Sequence, residues 1–183
     1  MSMQAEREIK REFLPLVLMG ALLAGACDSL LSVDPDPEPA MQTDGLEFRL
    51  RSAGSGFEGE IPYSYFNDSG SRIYLVNCNQ QFDARLERKS GDGWVLGWAP
   101  VMNLCLSAPI IIEPGGVFRD TLRVYAARYG SNSAPQFQFE NPEGIYRLRW
   151  EGALTSFDPD QYPFGEPLPL ERRTSNRFVL KGP

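Results

Sequence analysis

From Gly45 onward, apolar positions recur with a period of two. Leu46, Phe48 and Leu50 alternate with Glu47, Arg49 and Arg51, a spacing that gives a strand one dry face and one wet face. The same reading predicts strands over 60–67, 73–76, 82–88, 94–98, 110–112, 117–125, 144–151 and 177–180. Turn-forming segments punctuate them: Asn67-Asp68-Ser69-Gly70, Ser90-Gly91-Asp92-Gly93, Glu113-Pro114-Gly115-Gly116 and Asn141-Pro142-Glu143-Gly144. The first is expected to close a hairpin between 60–67 and 73–76. After residue 44 no stretch carries the capped, 3.6-period pattern of a helix. About eight or nine short strands in roughly 140 residues predict an all-β antiparallel sandwich, with a barrel as the alternative. The expected core is Leu46, Phe48, Leu50, Ile61, Tyr63, Ile73, Leu75, Leu86, Phe118, Leu122, Tyr146, Leu148, Trp150 and Phe178, and Arg147 and Arg149 then face water.

The amino-terminal segment breaks this pattern. Residues 13–23 (FLPLVLMGALL) form an uncharged apolar run, followed by the small residues Ala24, Gly25 and Ala26 and then Cys27. A membrane-spanning helix needs about 20 apolar residues, so the run is too short to span. Its order, charged then apolar then small, is that of a secretory signal. Leu22-Leu23-Ala24-Gly25-Ala26-Cys27 resembles the lipobox of bacterial lipoproteins. That resemblance implies cleavage between Ala26 and Cys27, lipidation of Cys27 with palmitate among the acyl chains, and a membrane anchor facing periplasm or exterior. Plain secretion after Ala26 is the alternative. Behind it, Asp34-Pro35-Asp36-Pro37-Glu38-Pro39 cannot form helix or central strand, and residues 28–43 reach at most about 50 Å when extended. The expected organisation is a signal over 1–26, a lipidated cysteine and flexible linker over 27–43, and a β-domain over 44–183.

Charge and composition narrow the function. The formal net charge is -6, from 18 Lys and Arg against 24 Asp and Glu, and no basic run exceeds the pairs Arg88-Lys89 and Arg172-Arg173. A phosphate-binding face is therefore not expected, nor a nucleic-acid partner. The chain has no histidine, which removes the usual general base and the commonest metal ligand. Ser55, within Gly54-Ser55-Gly56, lacks the Gly-x-Ser-x-Gly frame of a nucleophile elbow. Asp158-Pro159-Asp160 and Glu166 are the carboxylates placed for glycoside hydrolysis or calcium, but their pattern is that of solvated turn residues. No catalysis, cofactor or metal is expected. Trp94 and Trp98 read as packing rather than sugar-stacking residues, and Asn67-Asp68-Ser69 as a turn rather than a glycosylation site.

With Cys27 lipidated, Cys78 and Cys105 remain as an even pair bound for an oxidising compartment, and they are expected to be bridged, with two buried free thiols as the alternative. Closing a loop of about 28 residues stabilises the fold by about 3.5 kcal/mol in the chain-entropy model.

Gly144-Ile145-Tyr146-Arg147-Leu148-Arg149-Trp150 looks like the start of the penultimate strand of an immunoglobulin-like sandwich, with Tyr146 placed for the tyrosine-corner hydrogen bond. The order of this motif after Tyr65-Phe66-Asn67-Asp68-Ser69-Gly70, Ser90-Gly91-Asp92-Gly93-Trp94 and Ile112-Glu113-Pro114-Gly115 resembles small bacterial Ig-like domains of the intracellular-proteinase-inhibitor type. The resemblance implies an Ig-like antiparallel sandwich of about seven to nine strands. It also names protease inhibition as one function to weigh. The segment 152–174 is longer than a compact domain needs for a connection, and Phe157, Tyr162 and Phe164 within it are a candidate partner-contact surface. Folding back to cap the sandwich is the other reading of these rings. The expected function is a lipid-anchored binding domain of the cell envelope, taking a protein, peptide or envelope component. A protease inhibitor and, behind it, a small envelope hydrolase are the alternatives. Palmitate labelling of cells expressing the chain is expected to mark it, and Cys27→Ala to abolish the label; label retained in that variant would remove the anchor.

Overall fold

The computed structural model describes residues 39–102 and 107–183. The cleavage and lipidation expected at Ala26 and Cys27, most of the linker, and Cys105 lie outside the described residues. In chain order the first strands are β1 (Met41–Thr43), β2 (Glu47–Arg49), β3 (Arg51–Ala53), β4 (Gly56–Phe66), β5 (Ile73–Leu75), β6 (Asn77–Cys78) and β7 (Gln81–Phe82). They continue as β8 (Ala84–Ser90), β9 (Gly93–Trp98), β10 (Ile110–Ile112), β11 (Val117–Ala127), β12 (Gly144–Trp150), β13 (Ala153–Leu154) and β14 (Phe178–Lys181). A 3-10 turn covers Leu170–Arg172. Among the described residues there is no α-helix.

Two sheets supply most of the core. One has the order β1-β4-β11, with β3 also on β4, all antiparallel. The other has the order β2-β14-β12-β8-β9 and is antiparallel except where β2 runs parallel to β14. The inward side chains of both meet in one cluster, in which Tyr63, Tyr65, Tyr146, Leu148 and Trp150 are essentially inaccessible to water. The architecture is the all-β sandwich that the alternation predicts. A short third sheet, β10-β5-β13, and the hairpin β6-β7 complete it.

Four details of the expected fold are corrected. The run from Leu46 to Leu50 is not one strand: β2 joins β14, β3 joins β4, and Leu50 sits fully buried between them. Leu46 lies in the bend before β2 and is 52% exposed, so it leaves the core. Phe48 and Phe118 are only partly buried at the margin of the cluster. The segments 60–67 and 73–76 do not form a hairpin, because β4 pairs with β1, β3 and β11 while β5 pairs with β10 and β13.

The Asn67 side chain makes this corner. Buried, it donates from Nδ2 to Ser71 O (2.8 Å) and Ile112 O (2.9 Å), and its Oδ1 accepts from Ser69 N (3.1 Å) and Ser69 Oγ (2.6 Å). Its backbone is also tied to the 113–116 turn through Gly115 N and Gly116 O. An amide with every donor and acceptor engaged inside the fold holds a change of sheet and leaves no access for a sugar.

Arg147 and Arg149 point away from the core, yet they are half-buried rather than solvated. Glu87, buried on the adjacent β8, accepts Arg147 Nη2 through Oε2 and Arg149 Nη1 through Oε1, both at 2.6 Å. Two guanidinium groups on one carboxylate compensate its desolvation, and their planar forks suit the geometry. Arg147 also lies over the Trp94 ring, 4.6 Å from its centroid, a cation–π contact that covers the same face. Trp98 is buried and donates Nε1 to Tyr125 O at 3.1 Å.

Tyr146 Oη donates to Pro142 O at 2.8 Å inside the fold, the bond expected of a tyrosine corner. Burial pushes its phenol from 10.0 up to about 12, and burial also raises Tyr63 and Tyr65. A phenol that titrates higher in the folded than in the unfolded chain gives stability that is complete below pH 10 and lost as pH rises through the folded value. Urea unfolding is therefore expected to show a falling midpoint above about pH 10. Tyr146→Phe should cost about 1–3 kcal/mol at neutral pH by leaving Pro142 O unpaired, with an unchanged m-value, and should flatten the alkaline decline.

Candidate functional site

The long segment after β13 is not an open loop. Leu154 bridges Pro167, Leu168 N donates to Ala153 O at 2.8 Å, and the buried Leu168 side chain anchors the return strand in the core. Above this base, Thr155 N donates to Glu166 O (2.8 Å) and Asp158 N to Phe164 O (2.7 Å), which makes 155–166 a braced hairpin. A Cβ on Gly165 would collide with the carbonyl of Ser156, so close approach of the two arms requires glycine there. At the far end, Arg172 hydrogen-bonds Asp68, and this bond holds the Asp68 carboxyl below its ordinary value.

Aromatic rings run along the hairpin. Tyr74 of β5 stacks on Phe157 (6.2 Å between centroids), Phe157 meets Phe164 (6.3 Å), and Phe164 meets Tyr162 edge-on (5.6 Å). The three rings singled out from sequence therefore divide. Phe157 and Phe164 fold back against the body and are half-buried, whereas Tyr162 is 90% exposed. Tyr74 was missed as their anchor; its place between Ile73 and Leu75, on the opposite face of β5, was the available signal.

Beneath the hairpin lies a cleft of about 350 Å³. Tyr162, Pro163 and Phe164 form one wall, and Val76, Cys78 and Leu154 stand among the opposing residues. Cys78 is buried in β6. The β6-β7 turn leading away from it uses Asn79 at φ 50° and Gln80 at φ 67°, a two-residue loop without the usual glycine, which hid this hairpin from sequence reading.

Two carboxylates, Asp83 and Glu151, also line the cleft, and both are engaged by arginines. Arg85 grips Asp83 with Nε (2.8 Å) and Nη2 (2.6 Å), and Arg149 Nη2 meets Glu151 Oε1 at 2.7 Å. The cleft thus combines apolar and aromatic walls with acids whose charge is balanced inside the fold. Such a surface supplies contact area and shape.

The acids of the hairpin do not gather into a centre. Asp158 Oδ1 accepts the Asp160 N–H at 3.0 Å within the turn, and Asp160 and Glu166 are exposed. Among the described residues no group of three or more His, Cys, Asp or Glu side chains is arranged to hold a metal. Ser55 sits in the β3-β4 turn beside Gly54, whose φ of 54° makes the reversal.

No family model, no curated protein and no solved structure matches this chain.

The division between the rings predicts different costs. Tyr162→Ala is expected to change stability by no more than about 0.5 kcal/mol, and Phe164→Ala to destabilise by about 1–2 kcal/mol, measured by urea unfolding. Equal large losses would mean that Tyr162 also caps the sandwich.

Proposed function

We propose that this chain is a lipid-anchored, non-catalytic binding domain of the bacterial cell envelope. Its Ig-like sandwich stands off the membrane on the acidic, proline-stiffened linker behind Cys27 and engages a protein, peptide or envelope component. The observation that carries the reading is Tyr162, 90% exposed on a hairpin whose base is clamped into the core. A large amphipathic ring on a braced backbone gives contact area with little ordering cost on binding, which is how anchors of protein interfaces act.

Other features support the same reading. The order apolar run, small residues, Cys27, acidic prolines and β-domain is that of a tethered envelope protein. In the sandwich, β4 lies between β1 and β11, while β12 lies between β8 and β14. With the Tyr146 to Pro142 hydrogen bond, these pairings favour the immunoglobulin-like arrangement. A bridge between Cys78 and Cys105 accords with an oxidising location.

Protease inhibition is the second reading, favoured by one observation: the hydrogen bonds across 155–166 hold the hairpin backbone in a preset shape. A photo-crosslinking aromatic at position 162 of the full chain is expected to capture a discrete envelope species in intact cells, and the same probe at Glu60 to capture none. Capture from Glu60 alone would remove the hairpin as the contact surface. A protease as the captured species, inhibited stoichiometrically by the purified chain, would select the inhibitor.

A further inference from the structure

A second surface, independent of the aromatic hairpin, lies along the outer edge of β11. This strand ends its sheet, having β4 on one side. The direction of its backbone groups follows from three bonds. Gly116 O, just before β11, accepts from Asn67 N on the β4 side, whereas Tyr125 O accepts Trp98 Nε1 and Ala127 N donates to Pro135 O on the other. Alternation along an antiparallel strand then turns the N–H and C=O of Val117, Arg119, Thr121 and Arg123 away from β4. None of these groups has a hydrogen-bond partner among the described residues. The downstream end of the same edge already holds a strand-like contact, the parallel bridge between Ala127 and Gln136.

A groove follows this open stretch. Two hollows of about 620 and 350 Å³ share Gln80, Phe82 and Asp120, with Asn79 and Ser107 on the facing wall of the first and Trp98 and Pro100 on that of the second. Arg119 and Arg123 stand exposed on the outward face of the edge. Arg123 meets Glu60 at 3.5 Å with both side chains largely exposed, a pair that solvent screens. Arg119 has no acidic partner within ion-pair distance among the described residues. Two copies paired edge to edge about Thr121 would set Arg119 of one against Arg123 of the other, so the edge repels its own kind.

We propose that the 117–123 edge of β11 is a strand-addition site for an extended acidic peptide of a partner protein. The peptide main chain completes the ladder with the open N–H and C=O groups, acidic residues at alternate positions pair with Arg119 and Arg123, and the intervening apolar residues enter the groove beside Phe82 and Phe118.

The test uses the full chain and three labelled probes: an alternating Glu-Val octapeptide, its Lys-Val counterpart, and the Glu-Val peptide N-methylated at every second residue. Fluorescence anisotropy is expected to show the Glu-Val peptide binding about tenfold tighter than the Lys-Val peptide. N-methylation of the edge-facing amides should abolish binding. Arg119→Glu with Arg123→Glu should reverse the preference, and hydrogen exchange should slow at Arg119, Thr121 and Arg123 when the peptide binds. Equal binding of the two charge types, no binding by the Glu-Val peptide, or indifference to N-methylation would overturn the site. Slowed exchange at these amides on concentrating the protein alone would overturn it too, by giving the edge to a second copy.

Discussion

Trp150 is the contact on which the two sheets agree. It ends β12 in the middle of one sheet, and its indole meets Tyr65 (4.9 Å), Phe118 (5.8 Å) and Tyr63 (6.0 Å) of the other, with Phe82 at 6.1 Å closing the side. Its Nε1 donates to Tyr63 Oη at 3.3 Å, and that hydroxyl faces Asp120 at the groove beside β11. A buried indole fills a large volume and needs a partner for its N–H, so one residue fixes both the separation of the sheets and their lateral register. The next residues, Glu151 to Leu154, leave this fixed point and carry the chain into the aromatic hairpin. The hairpin is therefore placed by the core and not by its own sequence.

The outer face of the β8-β12 region shows a second constraint. Arg85, Glu87, Arg147, Arg149 and Glu151 crowd one outer face of neighbouring strands and pair at 2.6–3.4 Å. Long arginine stems cover sheet that would otherwise be bare, while their head groups compensate Glu87. This ladder also holds Glu151 and, through Arg85, Asp83 at the floor of the cleft. The charge pattern on this sheet face thus shapes the polar side of the cleft.

The hairpin cleft and the β11 edge use different physics. The first offers rings on a braced backbone and draws on apolar area; the second offers unpaired main-chain groups flanked by cations and draws on ladder hydrogen bonds. Both are carried by one core.

The alternating pattern alone determined the all-β class, the positions of β4, β5, β8, β9, β10, β11, β12 and β14, and most of the core, because a two-residue period leaves each side chain little choice of face. The resemblance of 144–150 to an Ig-like penultimate strand marked Tyr146 for its hydrogen bond, and its length marked the segment 152–174 as unusual. Which strand pairs with which was decided only in three dimensions. Asn67-Asp68-Ser69-Gly70 reads as a hairpin turn, and the Asn67 amide becomes a corner between sheets only when Ile112 O is there to accept it. Leu46 fits the alternation but lies in a bend, and Arg147 and Arg149 read as solvated until Glu87 is set beside them. The exposure of Tyr162 against the burial of Phe164, and the open side of β11, belong to the same class. Each depends on a neighbour distant in the chain, and local periodicity records the face of a residue but not what stands opposite it.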